Sequence, residues 1–346
     1  MSWLLKAMLL VAGLALFGWS MSGLDMAELG RTLARVGVWA PLSLVPYFVV
    51  YLVDCLAWKQ TLPSAKIPFF GLFRIRWAGE SVNNVIPSAY IGGEAVKVWL
   101  LRKRGIAAKE GATSAVVSKT AQTIAQVGFI LAAALFFFVI APDQPGLRAA
   151  LLAIIAGALA ALGALGWIQS VGLFRVSYLL ARALPGAKGW IERKKHKLLE
   201  FDETTFQFYR NERPRFYKAT SLYFAGFLLD TLEIFLAAHL LGLPISWPQA
   251  LVVEAFAGVA KIAGLWVPGS LGVQESGIVA VCRLAGLPDS LGVAYALIRR
   301  GRDVIFAAIG WLLLWIDGAG LRAMRAEMAA PAQEPSPIAS RTPTIL

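Results

Sequence analysis

The chain has 346 residues, 58% of them apolar and 16% charged, with a mean hydropathy of +0.64 and a net charge of +12. Soluble domains carry about 25% charged residues, so this composition excludes an ordinary soluble globular protein, and equally a disordered chain, a coiled coil, a collagen or a disulfide scaffold. Several apolar runs approach the roughly 20 residues that cross a bilayer core as a helix, which predicts an all-α polytopic membrane protein; the basic excess is then first a marker of cytoplasmic loops and only second a sign of a partner.

Taken in chain order, Trp3 to Met21 is predicted as a first membrane helix, a cleavable signal peptide being the alternative. Gly23 to Gly37 mixes Asp25, Glu28, Arg31 and Arg35 with apolar residues, as an interfacial amphipathic helix or a solvated loop would. Trp39 to Trp58 is the next span, followed by a basic stretch with Lys66, Arg74 and Arg76. Glu80 to Arg104 is too polar and too rich in Gly and Pro for a regular span. Further spans are predicted at Thr120–Ile140, Leu147–Trp167, Thr220–Leu241, Leu251–Trp266 and Leu291–Trp315, about seven to eight membrane segments in all. Between them, Arg175 to Lys218 carries eleven Lys/Arg against five Asp/Glu, half of the net +12, and is predicted to be cytoplasmic. Arg102, Lys103, Arg104 and Lys109 put their loop on the same side, as do Arg322 and Arg325 near the C-terminus. The tail from Ala329 to Leu346 lacks periodicity and reads as disordered.

An internal duplication organises these segments. Residues 47–56 align with 223–232 at an offset of 176 with five identities in ten, Asp54 falling on Asp230. At an offset of 181, Pro87, Glu94, Val98, Arg102, Gly105, Gly111 and Ala115 match Pro268, Glu275, Val279, Arg283, Gly286, Gly292 and Ala296. Resemblance among apolar helices does not explain matched Asp, Pro, Glu and Arg. With the basic loops inside, the segment with Asp54 runs inward and the one with Asp230 outward, so the copies are inverted. Glu80–Arg104 then dips in from the cytoplasm and Leu251–Gly286 from outside; the alternative is that Leu251–Trp266 spans fully. This predicts units at 1–38 (first helix and interfacial helix), 39–171 (first repeat), 172–218 (basic segment), 219–317 (second repeat) and 318–346 (tail).

Each copy breaks at a proline beside glycines: Asn84, Pro87, Gly92, Gly93 and Glu94 in the first, Pro268, Gly269, Gln274 and Glu275 in the second. A helix that begins after such a break offers free N–H groups and the positive end of its dipole, which suits an anion such as a phosphate head group. Glu94 and Glu275 act either there or simply as helix caps. Ser118, Gln122 and Gln126 form a polar stripe with Lys119 and Thr123 alongside; the matched positions in the second copy include Arg299, Arg300 and Asp303, with Arg299 and Asp303 spaced to pair along one helix face. Charges inside the membrane mark pathways, although Lys119, Arg299 and Arg300 could also snorkel to an interface. Asp54, Asp230 and Glu233 are candidate coupling groups, and Glu254 and Lys261, seven apart, would neutralise each other. Two Cys (Cys55, Cys282) and two His (His196, His239) supply no zinc cluster, and no nucleotide loop, zincin motif or nucleophile elbow is present. No metal, no cofactor, no catalytic residue and no nucleic-acid partner are expected.

The stretch Asn84–Arg104, the segment Val267–Glu275 and the segment Ala296–Asp303 resemble the lysylphosphatidylglycerol synthase transmembrane (flippase-like) family, and within it the hopanoid-biosynthesis-associated membrane proteins. The resemblance covers roughly Trp39 to Trp315. It implies a translocator of a phospholipid, glycolipid or hopanoid-type lipid in a bacterial inner membrane, with membrane lipids and lipid-biosynthesis proteins as partners. No soluble aminoacyltransferase-like domain follows Trp315, so synthase activity is not implied; a membrane-embedded lipid enzyme or a non-catalytic subunit are the other readings. The chain departs from the family pattern at Ser118-Lys119, where relatives carry an acidic residue and Arg, and at Gly269-Ser270, where Gly-Gly is common.

Overall fold

The computed structural model describes residues 44–62, 67–85, 91–140, 145–172 and 187–316, with isolated positions between 27 and 42. Trp3–Met21, most of Gly23–Gly37, Pro87 and the tail lie outside the described residues. Ten α-helices and a short 3₁₀ turn make up the described part, with no strand in it. They are α1 (Leu44–Gln60), α2 (Phe69–Val85), α3 (Ile91–Lys103), α4 (Ala108–Ile140), α5 (Pro145–Val171), α6 (Ala187–Asn211), α7 (Arg213–Leu240), α8 (Trp247–Ala263), α9 (Val273–Leu284) and α10 (Asp289–Ile316); the 3₁₀ turn is Pro268–Ser270. Within α4 and α7, the stretches Ala108–Phe138 and Arg213–Leu240 are long and apolar enough to cross a membrane. Helix α10 is equally long but is interrupted by Arg299, Arg300, Arg302 and Asp303.

Two predictions need correction, the irregular stretch that α2 occupies and the start of α4. Helix α2 falls where a basic loop and the start of an irregular dip were expected; its Arg74, Arg76, Glu80, Asn83 and Asn84 look like loop residues in sequence, yet Arg76 and Asn83 are buried inside the protein. The basic segment 175–218 is largely helical from Ala187 onward, as α6 and the first turns of α7. Helix α4 also starts twelve residues before the predicted Thr120; in this added stretch Gly111 lies against Val98 and Leu101 of α3, and Ser114 is hydrogen-bonded to Trp58 and Thr61.

The elements repeat as α1–α4 and α7–α10. In each copy a first helix is followed by a hairpin of two short helices, α2/α3 or α8/α9, and then by a long helix. Helix α8, at 17 residues, is about 26 Å long and α9, at 12, about 18 Å. Neither alone matches a ~30 Å core. The long helices cross over: α10 packs on α2 of the first copy, and α4 on α8 of the second.

Contacts along α1 and α7 give their direction. Arg215 donates to the carbonyls of Gln60 and Lys59, Ala57 packs with Ala219 and Tyr223, and Asp54 lies against Gly226, so the two helices are antiparallel. The first hairpin opens toward the end of the molecule that holds α6, where Lys109 meets Glu200 at 2.7 Å. The second opens at the opposite end, where Gln249 Nε2 donates to the carbonyl of Ala285 and where Phe137, Leu241 and Ile245 share a core with Ala285. The repeats are therefore inverted.

Matched residues have matched geometry. Gly105 and Gly286 sit at φ +83° and +71° and end α3 and α9 alike, with paired backbone bonds from Gly105 to Arg102, Ile106 to Leu101, Gly286 to Arg283 and Leu287 to Cys282. Gly111 faces Val98, and Gly292 faces Val279. Large apolar side chains on the outside, among them Phe70, Leu135, Val304 and Trp315, are 68–75% exposed. In water such a surface is unfavourable; lipid tails cover it without cost.

Candidate functional site

The site grows from the inner ends of the two hairpins. In the second hairpin, α8 stops at Gly264 and the chain turns through Val267–Gly272, with Gly269, Ser270 and Gly272 all at positive φ. Ser270 is held in that conformation by its hydroxyl, which donates to the carbonyls of Lys261 and Gly264 (3.2 Å each). The tip reaches the first hairpin: Gly269 packs against the carbonyl of Asn84 at the end of α2, where a Cβ would sit 3.4 Å from it. In the first hairpin, Asn83 Oδ1 accepts from the N–H of Gly93 at 2.8 Å, tying α2 to α3; a side chain at Gly93 would run into Asn83 and the Gly79 carbonyl.

At each tip a carboxylate pairs with a cation on the long helix. Glu94 lies 2.7 Å from Lys97 and 3.5 Å from Lys119 of α4. Glu275 pairs with Arg300 of α10, which also donates to the Gly269 carbonyl (2.9 Å) and lies 3.9 Å from Asp303. Since 94/275 and 119/300 are both separated by 181, the same pair is built twice. The neighbour repeats as well: Lys119 donates to Gln122 (3.0 Å), and Gln122 matches Asp303. The side chains of Lys119 and Arg300 are 34% and 21% exposed.

Glu275 also accepts from the Gly272 N–H at 2.7 Å, so the α9 N-terminus predicted as an anion site is capped by the protein's own carboxylate. Capping and the ion pair with Arg300 coexist in one residue. Gln274, next to it, is 3% exposed and its Nε2 has no hydrogen-bond partner; Asn83 Nδ2 and Arg300 Nη2 are likewise buried and unpartnered.

Beneath the tips lies a buried layer. Arg299 does not pair with Asp303 as its spacing suggested: its guanidinium makes a two-pronged contact with Glu254 of α8 (2.6 and 3.0 Å), and Tyr295 donates to the same carboxylate (3.0 Å). A planar fork that fits both carboxylate oxygens outcompetes a neighbour one turn away. Asp303 is taken by Arg302 (2.8 Å), whose guanidinium also meets Glu233 and lies over the Tyr47 ring, 3.5 Å from its centroid. Glu254 is thus not neutralised by Lys261. In the first copy Asp54 pairs with Arg76 at 2.6 Å, and Lys97 links Glu80 (3.3 Å) to Glu94. Lys261 lies within electrostatic reach of Glu80 and Asp303, which joins the polar layers of the two copies.

Of the predicted site residues, Asn84, Gly93, Glu94, Lys119, Gly269, Gln274, Glu275, Arg300 and Asp303 belong to the two tips and the cations above them. Gly92 and Pro268 flank the tips, and Pro87 lies outside the described residues. Arg299, Asp54, Asp230 and Glu233 belong to the buried layer. Arg76, Glu80 and Lys97 were not singled out from the sequence; the signal available was their spacing, Arg76 to Glu80 at i, i+4 and Glu94 to Lys97 at i, i+3.

Comparison with known proteins identifies the family. A model of the family described as "Lysylphosphatidylglycerol synthase TM region" matches residues 3–310. Similar relatives include a UPF0104 membrane protein of Methanothermobacter thermautotrophicus, 24% identical over 284 residues (76% of this chain and 80% of the relative). Another is a UPF0104 membrane protein of Pyrococcus horikoshii, 27% identical over 277 residues (75% and 81%).

Proposed function

From the premise that the chain is a membrane protein belonging to the family of the lysylphosphatidylglycerol synthase TM region, we propose that it moves a lipid with a polar or anionic head group between membrane leaflets. The observation that carries this reading is the repeated pair of carboxylate and cation, Glu94–Lys119 and Glu275–Arg300, one at the tip of each inverted hairpin. A charged head group crossing hydrocarbon unaided faces a large desolvation cost, and a relay of polar partners lowers it. An anionic head group can replace the internal carboxylate as the partner of Lys119, pass to Arg300 at the other tip, and leave the tip pairs closed behind it while its tails stay in lipid. The unpartnered donors Asn83 Nδ2, Gln274 Nε2 and Arg300 Nη2 add hydrogen bonds that an acceptor-rich phosphate or sugar would satisfy. Phospholipid, glycolipid and hopanoid-type lipids all fit this description. The reading places the protein in a bacterial cytoplasmic membrane, with α6 at the anionic cytoplasmic surface beside lipid-synthesis partners.

The test is lipid translocation in proteoliposomes that contain a head-group-labelled fluorescent phospholipid and an external, membrane-impermeant quencher. Wild-type protein should raise the quenched fraction from the outer leaflet's share toward the whole. Lys119→Ala and Arg300→Ala should slow this at least about tenfold, since the loss of one transition-state contact of ~1.4 kcal/mol already gives a factor of ten; Lys119→Ala should melt near wild type because Glu94 keeps Lys97, whereas Arg300→Ala should melt lower because buried Glu275 loses its cation. Arg299 is unsuitable for this purpose, because its removal strands Glu254 in the buried layer. Wild-type vesicles that move no lipid, or variants that move it at an unchanged rate, would overturn the proposal.

A further inference from the structure

The two buried layers differ in charge balance. In the first copy Asp54, Glu80 and Glu94 face Arg76, Lys97 and Lys119, three against three. In the second, five carboxylates (Asp230, Glu233, Glu254, Glu275 and Asp303) face three guanidiniums (Arg299, Arg300 and Arg302), and Lys261 is the fourth cation in reach. One acid is in excess, in a region where an uncompensated charge is expensive.

Geometry identifies that acid. Glu254 holds both prongs of Arg299, Glu275 holds Arg300, and Glu233 and Asp303 hold Arg302. Asp230 is left with Arg299 at 4.0 Å and Arg302 at 3.9 Å, and its Oδ1 has no hydrogen-bond partner. Its counterpart Asp54 is paired directly with Arg76 at 2.6 Å. Around Asp230 stand Glu233 on its own helix, Glu254 on α8, Tyr47 on α1, and Arg299 and Arg302 on α10. Helix α4 meets α7 through Ala121, Ala125 and Phe129 and through the hydrogen-bonded hydroxyls of Ser118 and Tyr223 (2.5 Å), none of which carries a charge. The carboxylates do not converge as metal ligands among the described residues, so the compensating charge is a proton.

We propose that Asp230 is a proton-binding site, occupied in this packing, and that its proton is the coupling ion of the transport cycle; the second statement rests on the lipid-transport reading above. When the second hairpin moves, it carries Glu254 out of the buried layer and away from Arg299, Asp230 takes that guanidinium as partner, and the proton leaves with the layer still balanced; return of Glu254 to Arg299 restores the proton on Asp230. No covalent bond other than the carboxyl O–H is broken or made.

Infrared spectroscopy of the purified protein in lipid tests the site without any transport assay. Wild type at neutral pH should show the C=O stretch of a protonated carboxyl group. Labelling with aspartate carrying ¹³C at the side-chain carboxyl should shift the band, which a proton on Glu233 or Glu254 would not allow. The band should vanish in Asp230→Asn, which mimics the protonated form, and persist in Asp54→Asn. A wild type without the band, a band unmoved by the label, or one retained in Asp230→Asn overturns the site. In proteoliposomes, an imposed pH gradient should change wild-type lipid movement several-fold and leave Asp230→Asn unaffected; wild-type movement indifferent to the gradient overturns the coupling. Vesicles that move no lipid although the band is present would refute the lipid reading and leave the proton site standing.

Discussion

Gly111 and Gly292 occupy the same place in the two repeats, each at the start of a long helix where it crosses the returning arm of its hairpin, but the room beside them differs. A Cβ on Gly292 would lie 2.9 Å from the Val279 Cα and 3.3 Å from both Cβ and Sγ of Cys282, whereas one on Gly111 would meet its nearest atom, a Leu101 methyl, at 3.4 Å. Backbone cannot yield as a methyl can, and overpacking of this kind costs about 1–3 kcal/mol. Gly292→Ala should therefore melt measurably lower than wild type in detergent, while Gly111→Ala stays within about 0.5 kcal/mol of it. Equal effects at both positions would contradict the packing described for α9 and α10. The matched glycines were visible in sequence as a repeat, but their unequal clearance was not. That clearance depends on how closely the helix backbones approach, the Val279 Cα lying 2.9 Å from the Cβ position at Gly292 and the matched Val98 Cα 3.7 Å from that at Gly111, and only three-dimensional packing exposes the difference. The same limit explains Arg299. A single sequence displays local spacing, so Asp303 at i+4 was the visible partner, while Glu254, 45 residues away, is the one that fits both guanidinium nitrogens.

Among the elements, the long apolar helices were legible because hydrophobic length is a property of consecutive residues; α4, α5, α7 and α10 fall where the runs predicted them, starting 2 to 12 residues earlier and ending within 4 residues of the predicted ends. Helix α2 was not, since a helix whose polar groups are satisfied by other helices has the composition of a loop: Trp77 donates to the Phe306 carbonyl, Ser81 approaches the same carbonyl, and Arg76 needs Asp54. The second hairpin was legible as a dip because Pro268, Gly269 and Gly272 interrupt it. Its entry is set by a capping box, in which Ser246 accepts from the Gln249 N–H and the Gln249 side chain accepts from the Ser246 N–H (3.0 Å). Ser246→Ala should lower stability by roughly 0.5–2 kcal/mol, read as a lower melting temperature, and Ser246→Thr should recover most of it. A loss unrelieved by Thr would mean that Ser246 acts through contacts other than the cap.

At the scale of the molecule, inversion makes a claim about sidedness that composition alone left to the positive-inside rule. The α3–α4 turn lies at the end that holds α6, and the α9–α10 turn lies at the end where Gln249 meets Ala285. In a membrane these two turns, equivalent in sequence, must face opposite compartments. Their matched glycines end both hairpins with the same backbone geometry, so the difference in sidedness comes from the reversal of α7 relative to α1 and not from any local feature of the turns. The two native cysteines, Cys55 and Cys282, are fully buried, so an impermeant maleimide should report almost only on introduced thiols. Ala107 and Pro288, in the two turns, are both exposed. In intact cells, Pro288→Cys should be labelled and Ala107→Cys protected until the membrane is permeabilised, with His196→Cys on exposed α6 behaving like Ala107→Cys. The opposite pattern for all three would keep the inversion but reverse its orientation, placing the basic α6 outside. Labelling of Ala107→Cys and Pro288→Cys from the same side would refute the inverted arrangement itself, and with it the relay between tips that an inverted pair of hairpins makes possible.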